Sequence, residues 1–169
     1  FGVLKADISS TMAEQNLEKA IVREPNIAQI YAVMGVVRAL RGMFDESLVA
    51  FDKALELNDS LAIAYMWKSN SLVALQRFDE AVLAQQKARE LDPLFISNSY
   101  NLATLLYWQG QFEEAIIIFN KLAEDHPLSS LPYEGISGLH FNRGNYVAAI
   151  SNIKKAIALS PENEALKTK

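Results

Sequence analysis

Two stretches that lie 34 residues apart decide the fold: residues 78–93 read FDEAVLAQQKARELDP, and residues 112–127 read FEEAIIIFNKLAEDHP. Each begins with an aromatic residue and two acids, has alanine in fourth place and ends in proline. Residues 44–59, FDESLVAFDKALELND, follow a similar plan another 34 residues earlier. Self-similarity at a fixed period of about 20–50 residues is typical of repeat proteins, so the same columns are expected elsewhere in the chain.

The 34-residue period extends over most of the chain in five columns. Two hold small residues apart from Leu122, one holds aromatic residues, one holds mostly glycine and one holds mostly proline. The small-residue columns are Ala13, Ser47, Ala81, Ala115 and Ala149, and Ala20, Ala54, Ala88, Leu122 and Ala156. The aromatic column is Phe44, Phe78, Phe112 and Tyr146; the glycine column is Gly42, Gly110 and Gly144, with Gln76 as its exception; the proline column is Pro25, Asp59, Pro93, Pro127 and Pro161.

Each column has a physical meaning that predicts pairs of helices. Alanine allows two helices to approach closely, and the aromatic residue fills the space near the turn between them. Glycine adopts a left-handed backbone at little cost and suits that turn. Proline lacks the N–H and clashes with the preceding turn, which ends the second helix. Apolar residues between the turns recur at the helical spacing, and no window shows the sustained alternation of a strand.

These columns resemble the tetratricopeptide repeat, whose period is 34 residues. With Ala28 as position 1, the helix A pattern of the family is seen in Tyr31, Met34 and Gly35, and the helix B pattern is best seen in Ala115, Phe119, Leu122 and Pro127. The resemblance implies an all-α fold, an α-α superhelix built as a right-handed solenoid of about 4.5 repeats. The predicted single array over residues 1–169 comprises a partial repeat at 1–27 that supplies a helix B, repeats at 28–61, 62–95, 96–129 and 130–163, and a tail at 164–169.

The N-terminal residues predict where the first helix begins. Thr11 and Glu14 have the spacing of a capping box, in which each side chain bonds a backbone N–H of the other residue. The chain begins at Phe1, in the middle of the repeat pattern. We therefore expect it to be a piece of a longer protein.

Composition and charge exclude several classes of function. The chain has 169 residues, a net charge of −4 and a pI near 5.2. Such a surface repels phosphate, so we expect no nucleic-acid partner. The chain has no cysteine, which excludes disulfides, thiol catalysis and zinc–thiolate sites. No stretch approaches the roughly 20 apolar residues of a membrane span.

Catalytic and metal-binding motifs are not recognised in the sequence. His126 and His140 are its only histidines, and neither forms a metal-ligand pattern with a carboxylate or a second histidine. The acidic pairs at 45–46, 79–80 and 113–114 are predicted in the first turn of a helix B, where acids complement the helix dipole. There is no glycine-rich phosphate loop or nucleophile elbow. We therefore expect no enzyme activity, no metal and no cofactor.

A ligand is expected on the concave inner face of a repeat superhelix, which helix A lines. Positions 2, 5, 9, 12 and 13 of helix A point away from helix B, and position 6 flanks them. Both tryptophans and two of the six tyrosines fall at these positions. Aromatic rings supply contact area and amides bond a peptide backbone. The predicted partner-binding residues are Gln29, Met66, Trp67, Asn70, Tyr100, Asn101, Thr104, Tyr107, Trp108, Glu134 and Phe141.

One known ligand mode of this family is rejected. Repeat proteins that bind a chaperone's C-terminal carboxylate use cationic side chains beside two asparagines. Asn70 and Asn101 match the asparagines, but Met66, Leu131 and Gly135 stand at the cationic positions. A terminal carboxylate would therefore have no partner, although the asparagines could still hold a peptide backbone.

Three core columns depart from the family pattern. Arg38, Lys68 and Gln85 stand where apolar or aromatic residues are usual. We expect the two charges to extend their stems to solvent or to find a carboxylate. The alternative is a polar spot that a partner or another part of the protein completes.

A narrower resemblance concerns residues 64–67, 89–94 and 101–102, which read AYMW, RELDPL and NL, with Tyr107 beyond them. They resemble the repeat tracts of bacterial signalling proteins such as ToxR-like winged-helix regulators and repeat-bearing adenylate cyclases. The resemblance implies a module of a larger regulatory protein. The predicted compartment is the cytoplasm, with the periplasmic part of a membrane-anchored regulator as the alternative.

The favoured function is a protein–protein interaction module that binds a peptide or protein segment in the concave groove. One alternative is a structural role, in which the array forms a homodimer or docks on another domain. The other is a sensor that binds a small ligand near Trp67, Tyr100 and Trp108 and modulates a missing DNA-binding or cyclase domain.

Overall fold

The computed structural model describes residues 2–160, with side chains described over residues 11–160. Within residues 2–160 there are nine α-helices and no strand. The helices are α1 (Gly2–Arg23), α2 (Ala28–Leu40), α3 (Phe44–Leu57), α4 (Ala62–Ala74), α5 (Phe78–Leu91), α6 (Ile96–Trp108), α7 (Phe112–Asp125), α8 (Leu131–Asn142) and α9 (Tyr146–Leu159). Helices α2, α4 and α6 begin at the first residue of a predicted repeat. The predicted all-α fold of repeated helix pairs is confirmed.

The described residues form two compact units, which are divided between Asp92 and Pro93. In the first unit α2 packs against α3 and α4 against α5, while α1 contacts α2 and α3 contacts α4. In the second unit α6 packs against α7 and α8 against α9, with α7 in contact with α8. The boundary coincides with Pro93 of the proline column. That residues 1–169 act as one array stays a prediction.

The small-residue columns lie where helix A and helix B of a pair come closest. Ala81 and Ala115 have no exposed surface. In the first unit the Ser69 hydroxyl of α4 donates to the Ala81 carbonyl oxygen of α5 at 2.8 Å. In the second unit Ser137 of α8 donates in the same way to Ala149 of α9 at 2.9 Å. A short side chain can reach a backbone carbonyl of the next helix only because both residues are small.

The glycine column forms the turns between paired helices. The backbone φ is +76° at Gly42, +79° at Gly110, +73° at Gly144 and +60° at Gln76. Each of these residues donates its N–H to the carbonyl three residues back, and the next residue donates to the carbonyl five residues back. This pattern is the Schellman motif, which satisfies the last carbonyls of a helix. The left-handed turn predicted from the glycines is confirmed, and Gln76 adopts it as well.

The capping box predicted at Thr11 and Glu14 is wrong. Helix α1 begins at Gly2, so Thr11 lies inside the helix rather than at its start. The Glu14 carboxylate instead accepts a hydrogen bond from Arg38 Nε at 3.0 Å and a second from Arg41 Nη1. Two guanidinium groups of the α2 end outcompete a local cap because each bond joins opposite charges.

The two charged residues in core columns, Arg38 and Lys68, each pair with a carboxylate. Arg38 pairs with Glu14, as described above, and Lys68 Nζ of α4 lies 2.5 Å from Asp52 Oδ1 of α3. Both charges therefore meet a carboxylate of the preceding helix B. Gln85 lies in α5 with no exposed surface. The expectation that the charges of Arg38 and Lys68 find a carboxylate within the chain is confirmed.

The acidic pairs lie in the first turns of α3, α5 and α7, as predicted. One of them is further fixed by a local ion pair: Arg77 donates from Nε and Nη2 to the two carboxylate oxygens of Glu80, each at 2.6 Å. This bond holds the pKa of Glu80 below its ordinary value.

Candidate functional site

The first unit has an apolar pocket of about 210 Å³ on the helix A side, between α2 and α4. Its floor belongs to a buried cluster that contains Ala32 and Phe51, against which Trp67 packs. Its rim includes Val33 and Ile63, which are 50% and 45% exposed. The lining residues are Gln29, Ala32, Val33, Val36, Phe51, Leu61, Ile63 and Trp67. This first pocket has the size and polarity to hold a single apolar side chain.

The second unit has a larger pocket of about 670 Å³, which is within the range of ligand sites in proteins. It is formed by the end of α6, the exposed face of α8 and the first turns of α9. Its lining residues are Tyr107, Glu134, Ser137, Gly138, Phe141, Asn142, Tyr146, Ala149, Ile150 and Ile153. Among the described residues that line it, most are aromatic or aliphatic, and Glu134 is the single charged one.

Two aromatic pairs fix rings of the second pocket. The centroids of Tyr107 and Phe112 are 5.7 Å apart, and those of Phe141 and Tyr146 are 5.5 Å apart with the rings edge to face. Each pair joins the last turn of a helix A to the first residue of the following helix B. Aromatic pairs at such distances stabilise each other, so the exposed rings of Phe141 and Tyr146 are held in place without a ligand.

Glu134 gives the second pocket its charge. The Ser130 hydroxyl donates to Glu134 Oε1 at 3.0 Å. Burial raises the pKa of the Tyr100 hydroxyl above its ordinary value, and the negative charge of Glu134 raises it further. Over residues 11–160, no lysine, arginine or histidine forms an ion pair with Glu134.

Five of the predicted partner-binding residues line a pocket. Gln29 and Trp67 line the first pocket. Tyr107, Glu134 and Phe141 line the second. Each pocket thus collects predicted residues from two neighbouring helices A.

Two predicted residues are oriented otherwise than expected. Met66 is buried in α4. Tyr100 packs edge to face on Phe119 of α7, with ring centroids 5.6 Å apart, so the expectation that it points away from helix B is wrong. Both stand at position 5. In these two repeats neighbouring helices cover the position: α4, for example, contacts α2, α3 and α5. In the last predicted repeat the same position holds Glu134, which lines the second pocket.

The remaining predicted residues lie outside both pockets. Asn70 and Trp108 are exposed, and Asn101 is half-buried. The Thr104 hydroxyl donates to the backbone oxygen of Tyr100 at 2.9 Å. Asn70 belongs to the first unit and Asn101 to the second, so their joint action on one peptide stays a prediction.

The sequence reasoning missed Tyr146, Ile150 and Ile153 of the second pocket. All three belong to α9, a helix B, whereas the predicted partner-binding residues all lie on helices A. One signal was available: Tyr146 follows Phe141 by five residues, as Phe112 follows Tyr107. An aromatic residue at both places of this spacing indicates a ring pair at the turn.

Neither a metal-binding cluster nor a membrane-spanning helix is found in the part of the chain that the structure describes. No group of three or more histidine, aspartate and glutamate side chains there is arranged to hold a metal ion. No helix there has the length and apolar character needed to cross a membrane.

The repeat pattern of this chain matches the sequence profiles of a known family. Two sequence profiles, each described as Tetratricopeptide repeat, match residues 38–94 and 72–133. Together the two profiles span residues 38–133. The chain belongs to the tetratricopeptide repeat family. A search of curated proteins gave no match to this tetratricopeptide repeat chain.

Solved structures share the tetratricopeptide repeat fold. MamA from Desulfovibrio magneticus is similar with a TM-score of 0.82 and 18% identity, covering 92% of this chain and 88% of that one. YrrB, described as a TPR protein with an unusual peptide-binding site, has a TM-score of 0.76 and 22% identity, covering 98% and 84%. A tetratricopeptide repeat protein from Parabacteroides merdae has a TM-score of 0.83 and 19% identity, covering 93% and 62%.

Family membership makes this tetratricopeptide repeat chain a protein–protein interaction module. The tetratricopeptide repeat fold is typically a non-catalytic scaffold, because its defining columns are packing positions. Partner choice in such a scaffold depends on the side chains at its pockets.

Proposed function

We propose that the chain binds an apolar, aromatic-tolerant peptide segment against the helix A faces of its repeats. The observation that carries this proposal is the second pocket, in which Tyr107, Phe141 and Tyr146 surround a volume of about 670 Å³. Exposed aromatic rings that are held by neighbours are the usual anchors of protein interfaces. The first pocket supports the proposal with an apolar recess on α2 and α4.

The chemistry of the two pockets defines the class of partner. Aromatic and aliphatic burial would supply most of the affinity, and exposed amides such as Asn70 and Asn142 would bond the peptide backbone. Among residues 11–160, no cluster of cationic side chains lines either pocket, so binding should depend only weakly on salt. As the narrower resemblance implies, such a module would hold a partner for a larger regulatory or signalling protein.

Hydrogen exchange with a bound peptide tests the proposal. Peptides selected on the full chain from a random displayed library should slow amide exchange in α2, α4, α8 and α9, which contribute residues to the two pockets. Helices α5 and α7, which line neither of these pockets, should exchange as in the free chain. Slowing confined to α5 and α7 would overturn the proposal. It would favour contacts through the exposed apolar residues of those helices, Leu83 and Ile117, which are each 66% exposed.

A further inference from the structure

The described lining of the second pocket combines fixed rings with one carboxylate, that of Glu134. The rings of Phe141 and Tyr146 are 60% and 58% exposed, and the aliphatic side chain of Ile150 is 52% exposed. Glu134 lies among these groups with one carboxylate oxygen bonded to Ser130. An anionic group beside aromatic faces is the arrangement that proteins use to receive a cation.

Two cations of the same unit lie against aromatic rings. Arg143 bonds Glu113 Oε1 at 2.5 Å and lies over the Phe112 ring, 5.5 Å from its centroid. Lys155 Nζ lies 4.2 Å from the centroid of the Tyr133 ring. These contacts show that aromatic faces of this unit hold cationic groups. None of the ion pairs among residues 11–160 includes Glu134.

We propose that the second pocket receives a lysine or arginine side chain of the bound peptide, with an apolar neighbour of that residue against Ile150 and Ile153. This inference rests on the proposed function and names its partner: a peptide that carries a basic residue beside an apolar one. The cationic head lies at Glu134 and the aliphatic stem lies along the rings of Tyr107 and Phe141.

Charge selects against the other peptides that fit an apolar pocket. An acidic side chain would meet the carboxylate of Glu134, and like charges at close range disfavour the wrong partner. A neutral apolar side chain would cover Glu134 without a bond for its remaining oxygen, which costs desolvation. A basic side chain is attracted to the carboxylate of Glu134 and also donates a hydrogen bond to its remaining oxygen.

A positional-scanning library of octapeptides tests the inference on the full chain. The peptides are acetylated and amidated, so that no terminal charge imitates a side chain. The parent chain is compared with Glu134→Gln and with Glu124→Gln, which removes the same charge at an exposed place outside the pocket. Circular dichroism melts check that all three fold alike.

The parent chain and Glu124→Gln should enrich lysine or arginine beside apolar residues. Glu134→Gln should lose that enrichment and bind the best basic peptide about three- to tenfold more weakly, while its apolar preference stays. Replacing the basic residue by norleucine or citrulline in that peptide should weaken binding to the parent but not to Glu134→Gln.

Other outcomes overturn the inference and separate it from the proposed function. Apolar enrichment without a basic preference, or the same basic preference in Glu134→Gln, ends the inference and leaves the proposed function standing. If the library enriches nothing, both fail. If the free chain also sediments as a dimer that Phe141→Ala dissociates, the occupant of the second pocket is a second copy.

Discussion

The ring of Phe119 in α7 lies against the backbone of Gly135 in α8: a Cβ built on Gly135 would stand 2.3 Å from Phe119 Cε1. Phe51 of α3 lies in the same way against Gly35 of α2, at 2.5 Å. Both rings are buried, with at most 2% of their surface exposed. These two glycines are therefore required for space rather than for backbone conformation. Gly135 also stands where carboxylate-binding repeats carry a cation, and the ring of Phe119 fills that space.

Gly135→Ala should destabilise the second unit. The added methyl group meets a ring that is packed on all sides, and such overpacking typically costs about 1–3 kcal/mol. Gly138→Ala in the same helix is the matched control, since nothing lies within 4 Å of its added Cβ. Alanine there should stabilise α8 by about 0.5–1 kcal/mol. Urea melts that give both variants the same midpoint would contradict the packing account.

Ala81→Leu and Ala115→Leu should each lower the free energy of unfolding by about 1–3 kcal/mol. Both alanines have no exposed surface and lie where paired helices come closest, so a larger side chain must push the helices apart. Ala158→Leu, at an exposed place in α9, provides the control and should change little. If the urea melts of both core variants match that of the parent chain, the small-residue columns are not packing positions.

Gln76→Gly should stabilise the chain by up to about 1 kcal/mol. Gln76 is a non-glycine residue with a φ of +60°. This backbone conformation costs an L-residue roughly 1–2 kcal/mol. Glycine removes that cost, but it also raises the conformational entropy of the unfolded chain, which offsets part of the gain in stability. The reverse change, Gly110→Gln at a φ of +79°, should destabilise the chain. Thermal melts that move in the opposite sense for either variant would contradict the role assigned to this column.

Glu14→Gln should weaken the attachment of α1 to α2. The carboxylate joins two guanidinium groups, those of Arg38 and Arg41, and its side chain is only 14% exposed. Removing its charge should weaken the attachment by about 1 kcal/mol and speed amide exchange over residues 11–23, with α8 and α9 unchanged. Glu18→Gln, exposed on the same helix, is the control. Equal exchange in the two variants would show that apolar contacts alone hold α1.

The fold could be predicted from the sequence because its columns are local and repeat. Each turn, each buried alanine and each helix start is set by residues within one 34-residue unit, and repetition makes the pattern visible. Thr11 and Glu14 misled the prediction because a capping-box spacing also occurs inside helices. The spacing alone does not show that Glu14 would meet Arg38 and Arg41 of another helix.

The candidate site was predicted only in part because burial around helix A depends on its neighbours. The rotation of 100° per residue separates positions that face helix B from those that face away, and two of the residues it selects, Phe141 and Gln29, line a pocket. It fails at Met66 and Tyr100, where neighbouring helices cover a wider arc. Helix B residues such as Tyr146 enter the second pocket through contacts that no single-helix projection contains.

The most direct test of peptide binding in the two pockets is the dissociation constant of a selected peptide for two double variants. Val33→Ala/Phe141→Ala removes an exposed apolar side chain from each pocket. Val49→Ala/Ile117→Ala removes similarly exposed side chains, 67% and 66%, from α3 and α7 outside the pockets. The account predicts that the first double variant binds about tenfold or more weakly, with the parent's thermal stability nearly kept, and that the second binds like the parent. Equal affinity of the two double variants would contradict it.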